Sequence, residues 1–237
     1  MLSVIRTALA ALVLLSLAIA ARAENGPSPV WRDDYVTRLE ALALLQTLNA
    51  ELLSGDSATL TLDRWCATHK LATPARIVAE RVAGPDVAPT PEQRQVLAVG
   101  ADEPVRFRRV RLKCGDHVLS EAENWYVPAR LTPGMNRTLD ETDTAFGRVV
   151  KPLDFRRRTL SAQLLWSPLP ADWEMRAAND NAPPAESDGT LDIPHEVLQH
   201  RAVLTLPDGT PISQVVETYT SGVLAFPDPQ EPPGGKP

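Results

Sequence analysis

Residues 119–150 read LSEAENWYVPARLTPGMNRTLDETDTAFGRVV, and the fold is decided by how this stretch changes character three times. Leu119 to Val127 is rich in residues that suit a pleated surface, and Pro128 ends the run by removing a ladder donor. Thr132 followed by Pro133 marks a helix start, because a hydroxyl can cap free amides and proline suits the first helical position. Met135 and Leu139 stand at i, i+4, which predicts a short amphipathic helix packing back on the strand. Thr144-Ala145-Phe146-Gly147-Arg148 then turns the chain again, with a glycine that lets backbone amides approach a ligand. Strand, helix and turn together make a pocket wall.

Working outward, the strand before this stretch is Val105 to Cys114, joined to it by Gly115-Asp116 as a hairpin. Its alternation places Val110, Leu112 and Cys114 on one face and Arg109, Arg111 and Lys113 on the other. Arg108 falls on the apolar face, where an arginine is costly unless paired. Downstream, Phe155 to Trp166 reads as a strand whose Arg156, Arg157 and Arg158 form a solvated basic start. Residues 172–194 lack periodicity and read as a flexible insert. Arg201 to Leu206 and Ile212 to Thr220 flank Asp208-Gly209 and form a second hairpin, and a Pro/Gly-rich tail expected to be disordered occupies 226–237.

Upstream, Leu39, Leu42, Leu45, Leu48 and Leu52 recur every three to four residues, which predicts a helix from Asp34 to Leu53 with Gly55 as its stop. A short second helix is expected from Thr61 to His69, a strand from Ile77 to Val82, and a third helix opened by the capping box Thr90-Pro91-Glu92-Gln93. The sum is an α+β domain over residues 24–225: an antiparallel sheet of about six strands with flanking helices to cover one face.

The chain of 237 residues suffices for one full domain. Its N-terminus stands apart. Ala8 to Ala20 is small or apolar except for Ser16, and Ala21-Arg22-Ala23 fits a small-x-small cleavage site, so residues 1–23 read as a secretory signal peptide. A membrane anchor is the rival reading, but thirteen residues are short for a span, so no stable membrane insertion is expected after cleavage. Export to the periplasm or beyond would expose Cys66 and Cys114 to an oxidising compartment, where they can pair if the fold brings them together. The net charge of −6 becomes more negative once Arg6 and Arg22 are removed, which disfavours nucleic acid as a partner.

His69, His117, His195 and His200 have no metal-ligand spacing, and each is expected near a turn or element end, so no metal is called. The chain has no GxSxG elbow, P-loop or GxGxxG. Asn136-Arg137-Thr138 matches a glycosylation sequon, a frequent chance occurrence. More informative is Glu217, a carboxylate interrupting the strand Val215-Val216-Glu217-Thr218-Tyr219. Arg108 and Glu217 could share one cavity and bracket a ligand hydroxyl, or form a structural ion pair, or Glu217 could face water at a strand edge.

Five words of the chain, in order, resemble the chorismate lyase family, whose fold also serves ligand-sensing domains of some transcription regulators. They are Leu52-Leu53-Ser54-Gly55-Asp56-Ser57-Ala58-Thr59, Arg108-Arg109-Val110-Arg111-Leu112, Val127-Pro128, Thr144-Ala145-Phe146-Gly147-Arg148, and the hairpin from Gly209 to Glu217. The resemblance implies a cofactor-free lyase that removes pyruvate from chorismate to leave 4-hydroxybenzoate. It implies Arg108 and Glu217 at the hydroxyl end of the ring, and backbone amides near Ala58, Phe146 and Gly147 at its carboxylate. Glu123-Asn124 stands where the family has Gly-Arg, removing one cationic contact, and export separates the chain from cytoplasmic chorismate. A binding protein for a small aromatic carboxylate on the same fold is therefore the second expectation.

Overall fold

The computed structural model describes residues 31–177, 180 and 189–226. The signal-peptide reading and most of the 226–237 tail lie outside them. Among the described residues no helix is long and apolar enough to cross a membrane.

Six antiparallel strands form one sheet: β1 (Ile77–Arg81), β2 (Arg106–Cys114), β3 (His117–Tyr126), β4 (Arg156–Leu164), β5 (Glu196–Thr205) and β6 (Pro211–Thr220). Their order is β1-β2-β3-β6-β5-β4, so the hairpin β2–β3 sits beside the hairpin β5–β6. The α+β fold and six-stranded antiparallel sheet are those expected from the sequence. Gly115, at φ 57°, makes the tight turn that sets Cys114 opposite His117. A register shift between Leu112 and Lys113 then sets Leu112 opposite Ser120, Val110 opposite Ala122 and Arg108 opposite Asn124.

Helices cover one face of the sheet. Helix α1 (Tyr35–Ser54) is opened by Asp34, whose side chain accepts from the Thr37 amide. It buries Ala41, Leu45, Leu48 and Leu52, a stripe at helical spacing, with Leu39 and Leu42 only half-buried at its margin. Helix α2 (Ala58–Thr68) starts three residues earlier than expected, because Ser57 accepts from the Leu60 amide and so caps it. Trp65 and Trp31 anchor the α1/α2 layer by donating to the carbonyls of Val223 and Leu224. Those carbonyls belong to the 3-10 turn after β6, where a Cβ on Gly222 would lie 1.9 Å from the Val118 carbonyl oxygen. Phe226, assigned to the tail from sequence, is packed beside Trp31 and stacks on His69.

Cys66 of α2 and Cys114 at the end of β2 form a disulfide with Cα atoms 6.2 Å apart. The two are 48 residues apart in sequence, and tying off a loop of that size contributes about 4 kcal/mol in a chain-entropy account. Helix α3 (Pro91–Val96) carries the full capping box read at Thr90 and Gln93 and lies on the opposite face. There Leu97, Trp125 and Val127 form a small separate core. Toward β1 that face is charged, with Arg109 paired to Glu123 and Lys113 to Glu80, and on β5 and β6 Gln199 donates to Thr218.

Helix α4 (Pro133–Glu141) is the one read at Thr132-Pro133, with Leu139 buried and Met135 against the same cluster. The expected turn at 144–148 is instead the start of a one-turn helix, α5 (Phe146–Val149). Arg148 fixes it, donating to Asp63 of α2 at 2.5 Å and to the Ile77 carbonyl of β1 at 3.2 Å. The end of the 172–194 insert is held too: Leu191 donates to the Trp31 carbonyl, and Arg32 bridges Thr190. Asn136 of the sequon donates to the carbonyls of Pro128 and Thr132, which commits its side-chain nitrogen to the fold.

Candidate functional site

Strand alternation determines what faces the helices. On β2 these are Arg108, Val110 and Leu112; on β3, Ala122 and Asn124; on β6, Ser213, Val215 and Glu217. Helix α2 and α5 reach over them with their N-terminal ends, and between sheet and helices lies a cavity of about 50 Å³. Its walls are mainly apolar, from Val110, Leu112, Phe146, Phe155, Leu204 and Val215. Ala58, Phe146 and Gly147 all line it, so the five residues named from the sequence converge on one space. Gly147 makes a close approach to α2: a Cβ would lie 2.7 Å from Ser57 Oγ and 3.2 Å from Thr59 Oγ1, so a larger residue would have to displace the hydroxyl that caps the helix.

The expected bracket of Arg108 and Glu217 is not a pair. Glu217 sits on β6 with an arginine two strands away on either side: Arg108 across β3, and Arg157 across β5. It pairs with Arg157, whose Nη2 lies 2.7 Å from Glu217 Oε2. Tyr219 donates to the same oxygen at 3.2 Å. The basic start of β4 is therefore only partly solvated. Arg156 is exposed, whereas the Arg157 side chain is 3% exposed, because Phe155 and Arg157 share the inward face of an alternating strand. That period-two relation to a large apolar residue was the available signal, masked by reading three arginines as one charge run.

Burial opposes the charge on Arg157, and Glu217 more than offsets it, so the guanidinium is held more firmly protonated than in water. Burial first, and then Glu217, pushes the Tyr219 phenol well above its ordinary range, so it stays a donor. Behind the pair lies His200, fully buried at mid-strand opposite Glu217 rather than at an element end. Its Nε2 meets Asn49 Oδ1 at 2.8 Å, and its ring stands edge-on to Tyr219. Burial, then Arg157, lowers its pKa to about 4, so this histidine is neutral at physiological pH.

The other wall is different. Arg108 is 7% exposed, yet its contacts are two long ones, from Nη2 to the carbonyls of Thr142 at 3.4 Å and Thr144 at 3.3 Å. Its Nε has no partner among the described residues. Burial and then Arg81 push its pKa down. Next to it, Ser213 donates to Asn124 Oδ1. Helix α2 adds to the positive character, since Ala58 and Thr59 line the cavity and first-turn amides have no intrahelical partner. The cavity thus contains a neutralised pair, the exposed carboxylate of Asp56, an arginine with no carboxylate at ion-pair distance among the described residues, and a helix N-terminus. Among the described residues no group of three or more metal-ligating side chains comes together.

Fold and site define an antiparallel α+β protein with a mainly apolar cavity into which two arginines and two carboxylates, Asp56 and Glu217, are built. The chain belongs to the family of the uncharacterized protein y4mC of Sinorhizobium fredii, to which it is 56% identical over 200 residues, covering 84% of this chain and 83% of that one. No protein-family model matches it. Among solved structures it is similar to PhnF from Mycobacterium smegmatis, at 16% identity and TM-score 0.47, over 73% of this chain and 68% of that one. It is also similar to the ligand-binding domain of a GntR-family transcriptional regulator from Bordetella bronchiseptica, at 13% identity and TM-score 0.37, over 61% and 82% of the two chains.

Proposed function

We propose that this protein is exported and binds a small carboxylate carried on an apolar or aromatic body. The observation that carries the reading is Arg108: a buried guanidinium, held among the described residues by two long contacts to carbonyls, in the wall of an apolar cavity. A buried cation without a counter-charge is costly, and an entering carboxylate relieves that cost while its body fills the apolar walls. The amides at Ala58 and Thr59 supply further donors. Export is supported by residues 1–23 and by the disulfide, which persists in an oxidising compartment.

Turnover of chorismate is the second reading, favoured by Glu217 lying in the same cavity as Arg108. A lyase needs a group that can exchange a proton or steer the departing enolpyruvyl ether. Glu217 is already engaged by Arg157 and Tyr219, which makes binding the better-supported reading. The test is to incubate the chain from Glu24 onward with chorismate and follow hydroxybenzoate and pyruvate by chromatography. Titration with 4-hydroxybenzoate is run in parallel, with Arg108→Gln as the control. The expected result is saturable binding that is weakened 10- to 100-fold in the control and no product above the spontaneous rate. Product formation that depends on Arg108 would replace binding with catalysis, and neither binding nor product would sink both.

A further inference from the structure

Arg108 also forms part of a second, larger space. The β1–β2 ladder covers Val110 to Cys114, so Arg106 to Arg108 start β2 beyond the strand pairing on that side. The chain leaving β1 turns off after Val82, whose amide donates to the Arg109 carbonyl at 3.0 Å. The end of α4 at Leu139 and Asp140 closes the far side. Between them lies a groove of about 450 Å³, into which Arg81, Arg106, Arg108 and Arg109 all converge, floored in part by Phe107 and Tyr126.

The four arginines are not equivalent. Arg106 holds Asp140 with both oxygens, at 2.8 and 3.1 Å, and Arg109 holds Glu123 at 2.6 Å. Among the described residues, neither Arg81 nor Arg108 has a carboxylate partner; both donate to backbone carbonyls, Arg81 to Asp140 and Arg108 to Thr142 and Thr144. A carbonyl satisfies a donor but does not cancel its charge. Asp86 lines the groove without pairing to either. Two guanidiniums therefore approach one polar space without an ion-pair partner among the described residues, with Asp140 and Asp143 acting on Arg108 only from a distance, and such forks match the oxygen spacing of a phosphate or carboxylate.

We infer that the groove is a second anion site, separate from the buried cavity, in which Arg81 and Arg108 hold a small oxyanion. Arg108 serves both spaces, so the two sites are linked. An anion in the groove reduces the charge available to a carboxylate in the cavity, and the reverse effect is equal in free energy. The site stands on the groove itself and does not depend on the cavity having a ligand.

The experiment is backbone-amide NMR of the chain from Glu24, titrated with inorganic phosphate and, in another arm, phenyl phosphate. Phosphate is expected to shift amides at 82–86 and 106–109. Arg81→Gln, an exposed change, weakens that binding about tenfold, the size of one charge-assisted bond, while Arg201→Gln on the far face leaves it unchanged. Tighter binding of phenyl phosphate points to an anion carried on a larger molecule, and equal binding to the free ion; either supports the site. Phosphate pre-loading should also weaken 4-hydroxybenzoate binding, read at Ala58 and Gly147. Shifts confined to residues 57–59 and 146–147, or equal weakening by Arg81→Gln and Arg201→Gln, would overturn the second site. A cavity that fails to bind 4-hydroxybenzoate leaves the phosphate result intact and counts only against the proposed function.

Discussion

The two ends of the cavity solve the same electrostatic problem in opposite ways. At one end Arg157, Glu217 and Tyr219 satisfy one another, and His200 stays neutral behind them. At the other, Arg108 is also buried but stands beside Asn124 of β3, with no carboxylate at ion-pair distance among the described residues. The closed corner is a finished piece of structure whose removal is felt by the fold. The open wall leaves an unmet charge, which is felt by whatever enters.

The largest expected effect follows from breaking the closed corner. Arg157→Met leaves Glu217 buried without its counter-charge and should cost about 3–5 kcal/mol. Urea denaturation would read this as a lower midpoint with little change in slope. Replacing both partners, Arg157→Met with Glu217→Leu, should recover most of the loss, because two apolar groups need no compensation. Arg108→Met, by contrast, removes a buried charge with no ion-pair partner among the described residues, so stability should stay within about 1 kcal/mol or rise. Equal losses from Arg157→Met and Arg108→Met would break the comparison.

Acid probes the same corner without a mutation. His200 has a folded pKa near 4 against an ordinary 6.5, so between those values the unfolded chain binds a proton that the native one refuses. The neutral ring contributes no penalty above about pH 6.5. As pH falls through that value toward 4, stability declines by about 2–3 kcal/mol from this group. Below 4 its share of the loss levels off. His200→Phe should flatten the stability profile in that window, measured by thermal unfolding at half-unit pH steps.

These two regions also differ in how far the sequence disclosed them. Arg108 was legible because alternation along β2 is strict: an arginine in register with Val110 and Leu112 must face inward. Glu217 was legible for the same reason on β6. Their relation was not, because pleat fixes the face of a residue but not its neighbours across strands. With β6 inserted between β3 and β5, Glu217 acquired two candidate arginines, and only strand order brings Arg157 into play. Arg157 itself was hidden by composition, since three consecutive arginines look solvated whichever way the middle one points. His200 reads as lying near an element end because the sequence marks the strand from Arg201, whereas β5 begins five residues earlier, at Glu196. Helix α5 escaped notice for a related reason: one turn of helix has too few residues to show a period.

Arg108→Gln tests the open wall by function. It keeps much of the side chain's size and hydrogen-bonding but drops the charge, so a ligand loses one charge-assisted contact. The expected change is a 10- to 100-fold weaker Kd for 4-hydroxybenzoate, the range that about 1.5–3 kcal/mol allows. Calorimetric titration would check it. Unchanged affinity would remove Arg108 from the binding wall and leave it a structural arginine.

Asn124→Asp is the smallest of these changes and sharpens the contrast most, since it supplies Arg108 with the partner that Arg157 already has. The two residues are directly paired across β2 and β3, and Ser213 already donates to the side-chain oxygen of Asn124, so an aspartate keeps that acceptor. The new carboxylate should draw the Arg108 guanidinium from its long contacts at Thr142 and Thr144. Stability is expected to change by less than about 1 kcal/mol, because the cost of burying another charge is offset by the pairing. Affinity for 4-hydroxybenzoate should fall about tenfold, as the internal carboxylate competes for the same cation. A mutant that binds as tightly as the parent would mean that the ligand is held at the α2 amides rather than by Arg108. One that unfolds would mean that the open wall depends on its asymmetry as much as the closed corner depends on its pair.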